Sequence, residues 1–180
     1  MTKINRIKNI RLCLMGLCST LTIMSLMVAC TISYKLNGAS IDYTTTKTIS
    51  FETFPIKAAL VYAPLASTFN DELQNKFATQ TRLTQVRNDG DLQISGAITG
   101  YSLSAQAIQS DAYASMTRLT IKVKVKFVNK PAPTQNFERE FSAFRDFDAT
   151  QLLNDVQDQL CEEMVDELVE SIFNATVANW

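Results

Sequence analysis

No histidine occurs anywhere in the 180 residues. The commonest general base and the commonest transition-metal ligand are therefore missing, which removes a Ser-His-Asp triad, a Cys-His nucleophile pair and a histidine zinc site together. Glycine is scarce at five residues, and none of the five falls in a phosphate-cradling loop. No cofactor motif is present. Charge of one sign is also lacking, with 17 basic against 18 acidic residues. That balance excludes a general nucleic-acid binder, which needs a basic surface. Catalysis by carboxylates and hydroxyls alone is the enzymatic route left. Its one local pair, Asp89 and Asp91 around Gly90, sits in an Asn-Asp-Gly-Asp stretch of the kind that makes turns. The chain reads as a non-enzyme.

What the sequence does have begins at its start. Lys3, Arg6, Lys8 and Arg11 form a basic region free of acids, and Leu12 through Ala29 carries no charge. Ala29 followed by Cys30 closes the run in the way a lipoprotein signal peptidase requires, so residues 1–29 are expected to be a signal peptide and Cys30 the lipidated residue. A retained transmembrane anchor is the rival reading, because about eighteen apolar residues just span a bilayer. Gly16, Ser19, Thr20, Thr22 and Ser25 weaken that rival. Acyl chains, palmitate among them, contribute roughly 0.8 kcal/mol per buried methylene, so two or more hold a protein on a membrane almost permanently. Without residues 1–29, 13 basic residues remain against 18 acidic, a net charge of −5, and Cys161 is the last free thiol. No intrachain disulfide is then possible, and stability rests on the core.

Residues 30–46 are read as the lipidated cysteine and a tether, and 47–180 as a single domain. Thr48 through Phe54 is expected to be an edge strand ended by Pro55. Pro64 opens a helix to about Thr81, with Leu65, Phe69, Leu73 and Phe77 on one face. Leu83 through Val86 leads into the Asn88-Asp89-Gly90-Asp91 turn. Leu92, Ile94, Gly96 and Ile98 then alternate, and the parity changes at Tyr101, Leu103 and Ala105, which a β-bulge at Gly100 would produce. Leu119, Ile121, Val123, Val125 and Phe127 alternate with Arg118, Thr120, Lys122, Lys124 and Lys126, one face buried and the other cationic.

A turn centred near Ala132 returns the chain as Phe137 through Phe141, placing Lys126 opposite or diagonal to Glu138 and Lys124 opposite or diagonal to Glu140. Arg118 and Lys122 have no acidic neighbour that the sequence assigns. A final helix from about Thr150 to Val177, capped by Asp148 or Thr150, carries Leu153, Val156, Leu160, Met164, Leu168 and Ile172 as a stripe that Val165, Val169 and Phe173 widen. Cys161 fills space beside it. The expected fold is α+β, a two-layer sandwich of two helices on one face of a four-stranded, mostly antiparallel sheet in the order β-α-β-β-β-α.

Several stretches taken in order carry a resemblance. They are Tyr34 with Asn37-Gly38-Ala39-Ser40-Ile41, Phe54-Pro55, Pro64-Leu65 leading to Phe69, Leu73 and Lys76-Phe77, and Asn88-Asp89-Gly90-Asp91-Leu92. Gly96 with Gly100-Tyr101, Arg118-Leu119-Thr120 with Lys122-Val123-Lys124-Val125, Phe144 with Asp146-Phe147, Ile172-Phe173-Asn174 and Trp180 complete them. In their order and spacing the chain resembles the LptE-type lipopolysaccharide-assembly lipoproteins, in a divergent branch. The resemblance implies a lipid-anchored domain at the periplasmic face of the outer membrane that binds and plugs a large β-barrel, LptD-like, and contacts lipopolysaccharide. Thr31 after Cys30 fits outer-membrane sorting. Because lipid A carries phosphates, Arg118 and Lys122 are the leading candidates for lipopolysaccharide or partner contact, with Lys124 and Lys126 behind them. The alternative function is a lipid- or glycan-binding lipoprotein that acts alone, which needs an apolar groove between helices and sheet.

Overall fold

A computed structural model describes residues 41–106 and 115–177. The expected leader, Cys30, the tether up to Ser40 and Trp180 lie outside the described residues. Among those described, five strands and two helices follow one another as β1 (Thr48–Phe51), α1 (Ala63–Gln80), β2 (Thr84–Val86), β3 (Leu92–Gln106), β4 (Met116–Asn129), β5 (Phe137–Asp148) and α2 (Leu153–Thr176). They make one sheet in the order β2-β1-β3-β4-β5. The class is α+β as expected, but the sheet has five strands rather than four. It is also mixed, since β1 pairs in parallel with both β2 and β3.

Two corrections follow from the added strand. β1 is interior instead of an edge, and β2 takes the edge beside it. β2 escapes a sequence reading because a three-residue strand with Thr84 and Gln85 exposed has no period-two burial to display. Its partner is set by the α1 crossover, which returns the chain parallel to β1. β1 also ends at Phe51, three residues before Phe54. Beyond it the chain still follows β3, through an Ile56–Ile98 bridge and an Ile98 N–H donating to the Pro55 carbonyl at 3.0 Å. Proline lacks a donor, and only its acceptor is used.

β3 and β4 pair over their whole lengths with one register shift between Ile98 and Gly100. Thr99 is the extra residue, and the bulge turns Tyr101 inward where Ile98 was inward before. Glycine is required at position 96, three residues before Thr99. A Cβ on Gly96 would lie 2.0 Å from the Lys124 carbonyl oxygen and 2.6 Å from the Phe54 ring, which packs onto the sheet there.

The Asn88–Asp91 stretch is a turn that locks two strands together. Asp91 accepts hydrogen bonds from the backbone N–H groups of Lys47 (2.9 Å) and Thr48 (3.0 Å) and from the Thr48 hydroxyl (2.9 Å). Those donors, Lys47 first, hold its carboxyl below the ordinary aspartate range. Asp89 takes the left-handed conformation at φ 61°. This geometry uses both aspartates structurally.

The helices cover one face. Leu65, Phe69, Leu73 and Phe77 of α1 are fully buried, as their spacing predicts, together with Met164, Val165, Leu168 and Ile172 of α2. The two helices run in the same direction, since Tyr62 meets Asp158 at one end while Phe77 meets Phe173 at the other, with ring centroids 5.1 Å apart. The start of α2 departs from expectation. Asp148 accepts from the Thr150 N–H and hydroxyl in a tight turn, and the helix begins at Leu153 with Leu152 as an uncapped N-cap residue.

Candidate functional site

The open face of the sheet, turned away from the helices, gathers every candidate cation. Alternation along β4 buries Leu119, Ile121, Val123, Val125 and Phe127 on the helix side and leaves Lys122, Lys124 and Lys126 exposed on the other, with Arg118 half-buried in the same row. β5 runs antiparallel beside it and contributes Glu138, Glu140, Ser142, Phe144 and Asp146 to that face. The hairpin register is as expected, with Lys126 opposite Glu138 and Lys124 opposite Glu140.

The ion pairs, however, run diagonally across the ladder. Lys124 Nζ lies 2.6 Å from Glu138 and Lys122 Nζ lies 3.2 Å from Glu140. Arg118 pairs with the residue directly opposite, its Nε 2.7 Å and Nη2 2.8 Å from the two oxygens of Asp146. The same guanidinium lies 3.9 Å from the centroid of the half-exposed Phe144 ring. So the two leading candidates both have carboxylate partners that the sequence reading did not assign. The cause is that β5 continues seven residues past Phe141, to Asp148, and carries Asp146 to the far end of the row.

Charge on the face follows from these pairs. Asp146 pushes the Arg118 pKa up and Arg118 draws the Asp146 carboxyl down. Glu138 likewise raises Lys124, while Lys124, through its hydrogen bond and charge, lowers Glu138. Lys126 is different. Among the described residues no carboxylate lies within ion-pair distance of its ammonium, so four cations face three carboxylates and Lys126 is the surplus. It borders a shallow cleft of about 350 Å³ that Arg87, Gln93, Ser95, Glu52 and Asp89 also line.

The helix side is opposite in sign. The cleft between α1 and α2 is lined by Glu72, Asp158, Glu162 and Asp166, with Tyr62 at its end. The Tyr62 hydroxyl donates to Asp158, and this bond, with some burial, raises its pKa to about 12. Beneath that cleft lies Cys161, whose thiol is pushed up to about 11 by burial. A thiol so protonated is a poor nucleophile, and Cys161 serves as the apolar filler expected. Between helices and sheet the space is filled by fully buried side chains, Phe54, Phe69, Phe77 and Phe127 among them. Among the described residues no cluster of acids and cysteine is arranged to hold a metal ion, and no helix is long and apolar enough to cross a membrane.

The comparisons decide the family. The family described as "LptE: Lipopolysaccharide-assembly" matches residues 46–176. The chain belongs to the LptE family. LptE proteins are lipopolysaccharide-assembly lipoproteins of the outer membrane, a non-enzymatic family that acts with the lipopolysaccharide transport machinery. No curated protein matches the sequence. Solved structures similar to this chain include a minor lipoprotein of Acinetobacter baumannii at 15% identity and TM-score 0.46, covering 71% of this chain and 89% of that one. Lipoprotein B of Nitrosomonas europaea is similar at 14% identity and TM-score 0.47, covering 71% and 79%. The rare lipoprotein B of Shewanella oneidensis is similar at 12% and 0.40, covering 70% and 93%.

Proposed function

We propose that this LptE-family domain, tethered through an acylated Cys30 to the periplasmic face of the outer membrane, plugs an LptD-like β-barrel and presents the open face of its sheet to lipopolysaccharide. The family match over residues 46–176 carries the reading. The cation row of β4 gives it a chemical site, because phosphorylated saccharide heads gain charge-assisted hydrogen bonds from ammonium and guanidinium groups. Lys126 leads that row, since a phosphate there displaces no carboxylate. Lys122 and Lys124 hold theirs through single, exposed contacts that an anion can compete away. Arg118, with a two-point contact to Asp146 and a ring beneath it, is the most committed to the protein itself.

Site-specific photo-cross-linking of lipopolysaccharide to the full chain in its native membrane tests the face. Lys126→Glu is expected to lower cross-linking several-fold with an unchanged melting temperature, and Arg118→Glu with Lys122→Glu to lower it less. Full cross-linking in both variants would make the row an ordinary solvated surface. For the barrel, affinity capture of the full chain from detergent-extracted outer membranes is expected to bring down one large β-barrel in equal amount. Recovery of the chain alone would favour the stand-alone carrier, although among the described residues the space between helices and sheet is filled by buried side chains.

A further inference from the structure

β3 is fifteen residues long and β1 only four, so the two halves of β3 have different neighbours. Leu92–Ile94 pairs with β1, and Ile56 and Lys57 follow β3 as far as Ile98. There the chain turns toward α1, and the Tyr62 ring stacks on that of Tyr101 with centroids 6.2 Å apart. Among the described residues no strand pairs with β3 on that side past Ile98, so Gly100–Gln106 makes a further edge of the sheet. Ser102, Leu103, Ser104 and Ala105 are all exposed there.

Register fixes which backbone groups this edge offers. Ile98 donates its N–H to the Pro55 carbonyl at 3.0 Å and accepts from the Lys57 N–H at 2.8 Å, so both its groups point away from β4. Ile98 stands opposite Val123, and beyond the bulge Tyr101, Leu103 and Ala105 stand opposite Ile121, Leu119 and Thr117. These β4 residues are spaced by two and share one backbone direction, so Tyr101, Leu103 and Ala105 turn their N–H and C=O groups outward as Ile98 does. Edges of this kind are ordinarily guarded by charge, proline or a bulge. The outer strand β5 is guarded, because Glu138, Glu140, Asp146 and Asp148 share one face and would confront one another in a copy of the same strand. Gly100–Gln106 carries no charge and no proline, and the bulge at Thr99 precedes it. Leu103 is exposed on it, as are Leu60 and Val61 just before Tyr62.

We propose that Gly100–Gln106 pairs antiparallel with the same segment of a second copy of this chain, about a two-fold axis at Leu103. The segment is complementary to itself. Leu103 then stands opposite Leu103, the large Tyr101 opposite the small Ala105, and Ser102 opposite Ser104, so no position sets like charges together. The outward groups of Tyr101, Leu103 and Ala105 complete their hydrogen bonds across the axis, and the contact is isologous, which closes it at two copies. Its length is limited by the fold. Past Gly100 the edge is already held by Lys57 and Pro55 through Ile98, which leaves seven residues of each strand to pair. The two sheets become one continuous sheet, and this pairing stands independently of the barrel reading.

Sedimentation of the full chain, purified in a neutral detergent, tests the pairing. The unaltered chain is expected at twice its monomer mass. Leu103→Asp, which sets two carboxylates against each other at the axis, is expected to weaken association by about tenfold or more with circular dichroism unchanged. Leu103→Cys places two Cα atoms about 5.5 Å apart, inside the span of roughly 4.4–6.8 Å that a disulfide bridges. Mild oxidation of that variant is expected to give a covalent dimer well in excess of any formed by the unaltered chain, whose Cys161 is buried. A monomer mass at every concentration would overturn the proposal, as would a dimer that Leu103→Asp leaves intact. Slow amide exchange at Leu103 and Ala105 in a monomeric chain would overturn it too, by giving the edge to another segment of the same chain. So would a different protein that co-purifies in equal amount and is released by Leu103→Asp.

Discussion

At the residue scale, Asp91 shows how an acid that sequence reading assigns to a turn becomes a clamp between segments 43 positions apart. It accepts from Lys47 and Thr48 and holds the start of β1 against the start of β3. A carboxylate accepting charge-assisted bonds is worth roughly 1.5–3 kcal/mol of net stability, so Asp91→Ala is expected to cost about 2 kcal/mol in urea unfolding. The pH dependence has a definite sign. Because the folded-state pKa is lowered, the contribution is complete above the unfolded value near 3.8 and is lost as pH falls through the folded value. Unfolding of the unaltered chain should therefore gain an acid limb below pH 3.8 that Asp91→Ala flattens.

At the element scale, α1 and α2 follow their sequences closely and β2 does not follow its sequence at all. A helix of eighteen residues repeats its apolar stripe four times, so Leu65, Phe69, Leu73 and Phe77 announce both the element and its buried face. Three residues cannot repeat anything, and β2 exists because the chain leaving α1 lies beside an unpaired side of β1. Helix packing then concentrates on a few side chains. Phe77 meets Phe51 of β1 at 5.4 Å and Phe173 of α2 at 5.1 Å between ring centroids. Removing that ring opens a cavity shared by three elements, and Phe77→Ala is expected to cost about 3–5 kcal/mol, measured as a fall in melting temperature. Hydrogen exchange gives the complementary expectation. The amides of central β4 should exchange slowest and those of β2, bonded on one side only, fastest among the strands. Equal protection in β2 and β4 would show that the edge is far more firmly held than three parallel pairs provide.

At the scale of the whole molecule, the two faces differ in sign, acidic along the helix cleft and carrying a surplus cation on the open sheet. In the proposed function a domain so divided turns its sheet toward phosphate and its helices elsewhere, which suits a protein oriented in a larger assembly. In that proposal the orientation depends on an acylated Cys30. Cys30→Ala is expected to leave an unprocessed precursor with residues 1–29 still attached and to lower the fraction sedimenting with outer membranes. Normal mature size and sedimentation in that variant, read by immunoblot, would remove acylation from the account. With the anchor lost, barrel capture should fall with it even though the domain stays folded, because the core of Phe54, Phe69, Phe77 and Phe127 owes nothing to the lipid.

The sequence by itself determined what repeats locally: the period-two burial of β4, the stripes of both helices, the bulge beside Gly100 and the register of the β4–β5 hairpin. Each of these is a property of neighbours a few positions apart or of one tight turn. Only the tertiary structure decided which carboxylate meets which cation, that β1 lies inside the sheet, and that Asp146 answers Arg118 from 28 positions away. Those outcomes depend on how far β5 continues and on where a crossover sets down a strand. Both are settled when apolar faces close on one another, and neither leaves a periodic trace in the chain.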